Sequence, residues 1–151
     1  MDNPDELARE IIDANRYLTL ATADESGLPW ASPVWYAHAG YREFFWVSKP
    51  EARHSRNLAA RPEVGVVIFD SHVPGTGRSV YMEAIAEQLE DGDLERGMEI
   101  FNSRSAAQEL PVWALDDVRP PARHRLYRAS AGAQFVLDSF DQRLPVQAGT
   151  R

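Results

Sequence analysis

The chain has 151 residues, 44% of them hydrophobic and 26% charged, with a formal net charge of −7. That balance describes a single folded domain, 1–151, and argues against disorder or general nucleic-acid binding, which needs a broad basic surface. No cysteine is present, so disulfides, thiol catalysis and cysteine-ligated metal are excluded.

The acidic opening, MDNPDELAREIID, has no apolar signal-peptide core, and the longest apolar runs are strand-length, far short of a membrane span. A cytoplasmic protein without membrane segments is expected. Residues 4–16 are predicted as a helix: Asn3 can cap it, Pro4 suits the first position, and Leu7, Ile11 and Ile12 form an apolar stripe. Residues 17–23, YLTLATA, read as a strand by alternation, and 24–27 as a turn. Residues 28–39 read as a second strand, with Pro29 and Pro33 confining parts of it to an edge or bulge. Residues 42–48 make a third strand, and 51–60 a short helix stopped by Pro62. The apolar run 64–70 is a buried strand, and 71–77 a loop. In 78–90, Val80, Met82, Ala84 and Ala86 alternate with Tyr81, Glu83, Ile85 and Glu87, the pattern of a strand with two unlike faces. Residues 91–107 look helical, and 108–123 irregular around Trp113. Residues 124–130 and 133–138 are expected to form a hairpin across Gly132. The tail, 141–151, has few anchors and is expected to fray or to dock on a partner, leaving 16–140 as the core. Six or seven strands joined mostly by tight turns make a mainly β fold, an antiparallel barrel with a few helices.

Hydrolytic and metal chemistry find little support. No G-x-S-x-G nucleophile elbow occurs, and His38, His54, His72 and His124 lack a second ligand at metal-binding spacing. The segment GTGRS (75–79) lacks the full spacing and lysine of a phosphate loop. The stretch 41–61 is different. It carries five basic residues (Arg42, Lys49, Arg53, Arg56, Arg61) against two acids in an acidic chain. Its predicted helix starts just after a strand ending in Ser48, with Arg53, His54 and Ser55 in the first turns. Free amides, a positive dipole end and forked arginine donors suit a phosphate, although a solvated basic helix face has the same composition.

The order of features in YLTLATADESGLPWASPVWYAHAGYREFFWVSKPEARHSRNLAARPEVGVVIFD resembles the pyridoxamine 5′-phosphate oxidase-like superfamily, the FMN-binding split barrels. The carriers are LATA, the G-x-P-x-x-S-P-V-W-Y strand, a strand ending in VS, and ARHSRNLAARPEV, followed by VYMEAIAEQLED. The match covers roughly residues 16–90. It implies a split β-barrel and a homodimer with FMN in a groove between protomers. The ring would rest along Ala31, Ser32, Pro33 and Val34, with Val47 and Ser48 beside it. Arg53 and His54 would contact the phosphate, with Lys49 or Arg56 in support, and Ser79 would reach the flavin. His54 stands where relatives commonly have lysine, and RHRLYRAS does not reproduce the substrate motif of the true oxidases. The implied function is a flavin-dependent oxidoreductase acting on a small molecule of unknown identity. No side chain is assigned as catalytic and none as a metal ligand. Trp30, Trp35 and Trp46 are candidates to line a pocket for a flat substrate, although Trp46 at least is expected to fill the barrel core or the dimer contact instead. Deazaflavin (coenzyme F-420) in place of FMN, or a non-enzymatic flavin or haem carrier, are the alternatives.

Overall fold

The computed structural model of the chain describes residues 3–149. Helix α1 (Pro4–Ala14) begins as its sequence dictates: the Asn3 side-chain oxygen accepts from the amides of Asp5 and Glu6, and Pro4 occupies the first turn. Ala8, Ile11 and Ile12 form its buried face. The strands are β1 (Tyr17–Ala23), β2 (Pro29–Trp35), β3 (Ala37–Ala39), β4 (Glu43–Ser48), β5 (Glu63–Phe69), β6 (Ser79–Gln88), β7 (Arg125–Leu137) and β8 (Arg143–Val146). Helices α2 (Arg53–Ala60) and α3 (Asp91–Ala107) and a 3-10 turn, Leu115–Val118, complete the described residues. All strand pairs are antiparallel, in the order β2-β1-β5-β6-β7-β4-β3, with β8 added to β7. The sheet curls into a split barrel, mainly β with a few helices, as expected.

Three local expectations change. The single strand expected over 28–39 breaks at Tyr36. That side chain is buried, its hydroxyl donates to the Ile12 carbonyl at 2.6 Å, and its amide to Arg16 at 3.1 Å, so the chain turns toward α1 there. The expected hairpin across Gly132 does not form, and β7 runs straight through it. Register with β6 passes from Met82–Gln134 to Ala84–Ala131, so Gly132 and Ala133 together oppose Glu83 in a bulge. The tail does not fray as far as residue 149. Residues 143–146 form β8 against β7, Pro145 is tolerated in this short strand, and Val146 and Ala148 are buried. The count is therefore eight strands among the described residues, where six or seven were expected.

Side-chain alternation divides the interior in two. Phe44 and Trp46 of β4 and Tyr127 and Ala129 of β7 face the barrel core, which α1 closes with Ile11 and Ile12. Phe45 of β4 and Leu126 of β7 point the other way, against Leu94, Met98 and Phe101 of α3. Helix α3 lies so near the sheet that a Cβ on Gly97 would come within 2.8 Å of Leu126 and 3.0 Å of Leu89. Gly97→Ala is expected to destabilise the fold by about 1–3 kcal/mol through overpacking, despite alanine's better helix propensity. Urea unfolding checks this, and a gain in stability would show that α3 has room to move outward.

Arg104 of α3 ties this layer to α1. Its guanidinium donates to the carbonyls of Asp13 and Asn15, both at 3.2 Å, where α1 has no basic residue in its own last turn. Across the same junction His38 and Tyr41 hold the Asp13 carboxylate, at 2.9 and 2.7 Å. Burial keeps His38 below the ordinary histidine pKa despite that carboxylate. The Tyr41 amide donates to His38 Nδ1 at 3.3 Å, so the ring proton lies on Nε2 and faces Asp13.

Candidate functional site

A cleft of about 530 Å³ opens where the end of β2 meets the end of β4. Pro33, Val34 and Trp35 line it from β2, Val47 and Ser48 from β4, and His54 from α2. Phe101 of α3 and residues 110–113 form the opposite wall. Its size is ordinary for a site that takes a small organic molecule. The wall is built by specific contacts. Trp35 meets Phe101 edge-on with ring centres 5.0 Å apart, and its indole N–H donates to Gln108 Oε1 at 2.8 Å. Asn102 holds the Trp113 backbone at both ends, donating to its carbonyl at 2.7 Å and accepting from its amide at 2.9 Å.

The polar end lies at the start of α2. No side chain among the described residues caps that helix, so its first amides are free to face a ligand. His54 Nε2 and Ser48 Oγ are 2.9 Å apart, which fixes the ring across the mouth of β4. Burial holds the His54 imidazole below the ordinary histidine value. The Arg53 guanidinium lies 4.2 Å over the Trp30 ring, a stacked arrangement that limits its rotamers. Ser55, in the same first turn, is buried, with the Tyr127 phenol beside its hydroxyl.

Of the residues singled out in the sequence, Pro33, Val34, Val47, Ser48 and His54 line this one cleft. Ala31 and Ser32 precede them on β2, opposite Ala21 and Leu20 of β1. Arg53 adjoins His54, and Lys49 is exposed in the turn between β4 and α2. Ser79 is not brought there. It is buried at the opposite end of β6 from Pro62 and α2, and its hydroxyl donates to the Gly77 carbonyl at 3.0 Å. The three tryptophans separate: Trp35 lines the cleft, Trp30 supports Arg53, and Trp46 is fully buried in the barrel. Sequence reasoning missed Tyr17, Phe101 and the wall at 110–113. The available signal was LPVW, four apolar residues within an irregular segment with no strand or helix to bury them. No cluster of three or more metal-ligating side chains occurs among the described residues. None of their helices is long and apolar enough to cross a membrane.

Comparison with known proteins agrees with this geometry. Residues 4–135 match the family profile described as pyridoxamine 5′-phosphate oxidase. A pyridoxine/pyridoxamine 5′-phosphate oxidase from Burkholderia mallei is 30% identical over 110 residues, 70% of this chain and 49% of that protein. The chain thus spans about half the length of the curated relatives it matches. A haem-binding protein from Mycobacterium smegmatis superposes with a TM-score of 0.75 at 22% identity, covering 95% of this chain and 57% of that one. A structure described as an F-420 reductase superposes with a TM-score of 0.56 at 20% identity, covering 79% and 88%. At such identities the two structures speak for the fold alone. The family match extends over most of the chain and takes in both strands and the helix that form the cleft: this protein belongs to the pyridoxamine 5′-phosphate oxidase family.

Proposed function

We propose that the chain binds FMN in this cleft, at an interface between two copies, and acts as a flavin-dependent oxidoreductase. The observation that carries the reading is the junction of an apolar cleft with the uncapped, basic start of α2. FMN has the same two parts, a flat ring and a phosphate. Bound there, it supplies the transfer of electrons between an organic substrate and an acceptor. The chain's residues hold and orient it. Arg53, His54 and Lys49 receive the phosphate, the β2 edge from Ala31 to Val34 supports the ring, and Val47 and Ser48 flank it. Trp35 and the 110–113 wall exclude water from one side of the cleft.

A second copy has a natural place. Tyr17, Phe69 and Ile85 are large, apolar and at least half exposed, at 59, 58 and 50%, on the outward face of adjacent strands β1, β5 and β6. An isologous pairing over this face would bury them, and Ser79 would meet the cofactor only from the second copy. The haem-binding and F-420 reductase neighbours supply the alternative occupants of the same cleft. Native mass spectrometry of the purified protein tests the whole reading. The expected species is a dimer carrying FMN. A 17.0 kDa monomer at micromolar concentration would overturn the dimer, and release of haem or deazaflavin would replace the cofactor.

The histidine at position 54 gives a pH signature. Burial lowers its pKa in the free protein, so it is neutral at pH 8. A bound phosphate dianion favours the imidazolium and raises the value, so binding takes up a proton. Affinity for FMN is expected to rise as pH falls through the bound-state pKa and to level off below the free-state one. The gain is up to about tenfold per unit of difference between the two. The phosphate's own ionisation, near pH 6, flattens the acid limb. His54→Lys should bind more tightly at pH 8 and lose the slope. Calorimetric titration at several pH values decides this, since a flat profile shared by both proteins places the phosphate on Lys49 or Arg56 instead.

A further inference from the structure

We propose that the apolar end of the cleft takes a flat, uncharged aromatic ring and rejects phosphorylated compounds, with the segment 110–113 as the selecting element. The inference rests on the cofactor reading above, which lays the FMN ring along the β2 edge beside Val47 and Ser48 and leaves the facing wall, Trp35, Phe101 and 110–113, to a second ring. Among the described residues no Lys, Arg, Asp or Glu lines the cleft. Of its polar groups away from α2, Trp35 Nε1 is engaged with Gln108, Ser105 Oγ with the Phe101 carbonyl at 3.1 Å, and both Trp113 backbone groups with Asn102, which leaves the uncharged Tyr17 hydroxyl and Trp113 indole N–H. A phosphate placed there would give up hydration and find no cation to compensate its charge. The charges nearest the segment in sequence add no free cation to it: Glu109 and Asp117 are acidic, and Asp116 is paired with Arg119. An apolar ring meets the reverse situation. Leu110 and Val112 keep 43% and 62% of their surface exposed, although they are large and apolar, and Trp35, Phe101 and Trp113 offer aromatic faces and edges. The wall is also set in advance. Asn102 clamps one end of the segment, and at the other Glu109 has a positive φ of 56° while the Leu110 amide donates to the Ser105 carbonyl at 2.8 Å. Little ordering remains to oppose binding.

The test compares 2-naphthol with 2-naphthyl phosphate, the same ring with and without charge. Calorimetric titration of the purified protein, with FMN added to saturation, yields the ratio of their dissociation constants. Naphthol is expected to bind at least about tenfold more tightly, because the charged probe gains no cation in the apolar end. Val112→Lys should cut that preference by about fivefold by offering a cation at the wall. Trp113→Ala should weaken naphthol by about three- to tenfold at saturating FMN. Equal binding of the two probes, a preference for the phosphate, or a ratio indifferent to Val112→Lys would overturn the inference. The cofactor reading is scored separately by the flavin spectrum. Selectivity for naphthol without bound flavin sinks only that reading, and bound flavin without selectivity sinks only this one.

Discussion

Replacing Trp46 with alanine is expected to lower the free energy of unfolding by about 3–5 kcal/mol. The indole is fully buried on the inward face of β4 and stacks on Tyr127 with ring centres 6.0 Å apart and planes 11° from parallel. Alanine would leave a hole that a curled, hydrogen-bonded sheet cannot close. Trp46→Phe should cost much less, about 1–2 kcal/mol. The indole N–H has no acceptor among the described residues, and removing a buried unpaired donor recovers about 1–3 kcal/mol of desolvation. Urea denaturation at fixed protein concentration separates the two variants. Equal losses would mean that the N–H is paired and contributes as much as the ring volume.

The second large effect is on binding. Arg53→Ala is expected to weaken FMN by about 1.5–3 kcal/mol, roughly ten- to a hundredfold, and riboflavin hardly at all, because only FMN carries the phosphate. Trp30 has a share in this. It fixes the guanidinium by stacking, so Trp30→Ala should reproduce part of the loss, about 0.5–1 kcal/mol. Equal weakening of both ligands by Arg53→Ala would show that the arginine shapes the site instead of holding a phosphate.

Several elements were legible because their signals are local. The Asn3–Pro4 start of α1, the period-two pattern of β6 and the run 91–107 of α3 each depend on residues within a few positions. Gly132 misled because glycine serves a turn and a bulge equally, and only the partner strand distinguishes them. Here β6 supplies Glu83 opposite two residues of β7, and the strand continues. Tyr36 ends β2 through a bond to Ile12, 24 positions away, which no local pattern encodes. The candidate site divides the same way. The β2 edge, Val47, Ser48 and the start of α2 fall in one continuous stretch whose order resembles a known family, whereas the facing wall arrives from residues 101–113. That wall is placed by Gln108 reaching Trp35 across 73 positions, a contact that composition and periodicity do not show.

Strand β7 determines when the sheet can be finished. One of its edges pairs with β6, and the other with β4 and then β8. On the ribosome, everything through β6 emerges with two strands still lacking their neighbour, and the gap persists until residues 125–137 leave the exit tunnel. A nascent chain stalled before that point presents unpaired edges and the apolar inner face of an open sheet. Truncation anywhere upstream of residue 125 should therefore yield aggregates that recruit chaperones, while full-length product escapes them by closing on its last long strand.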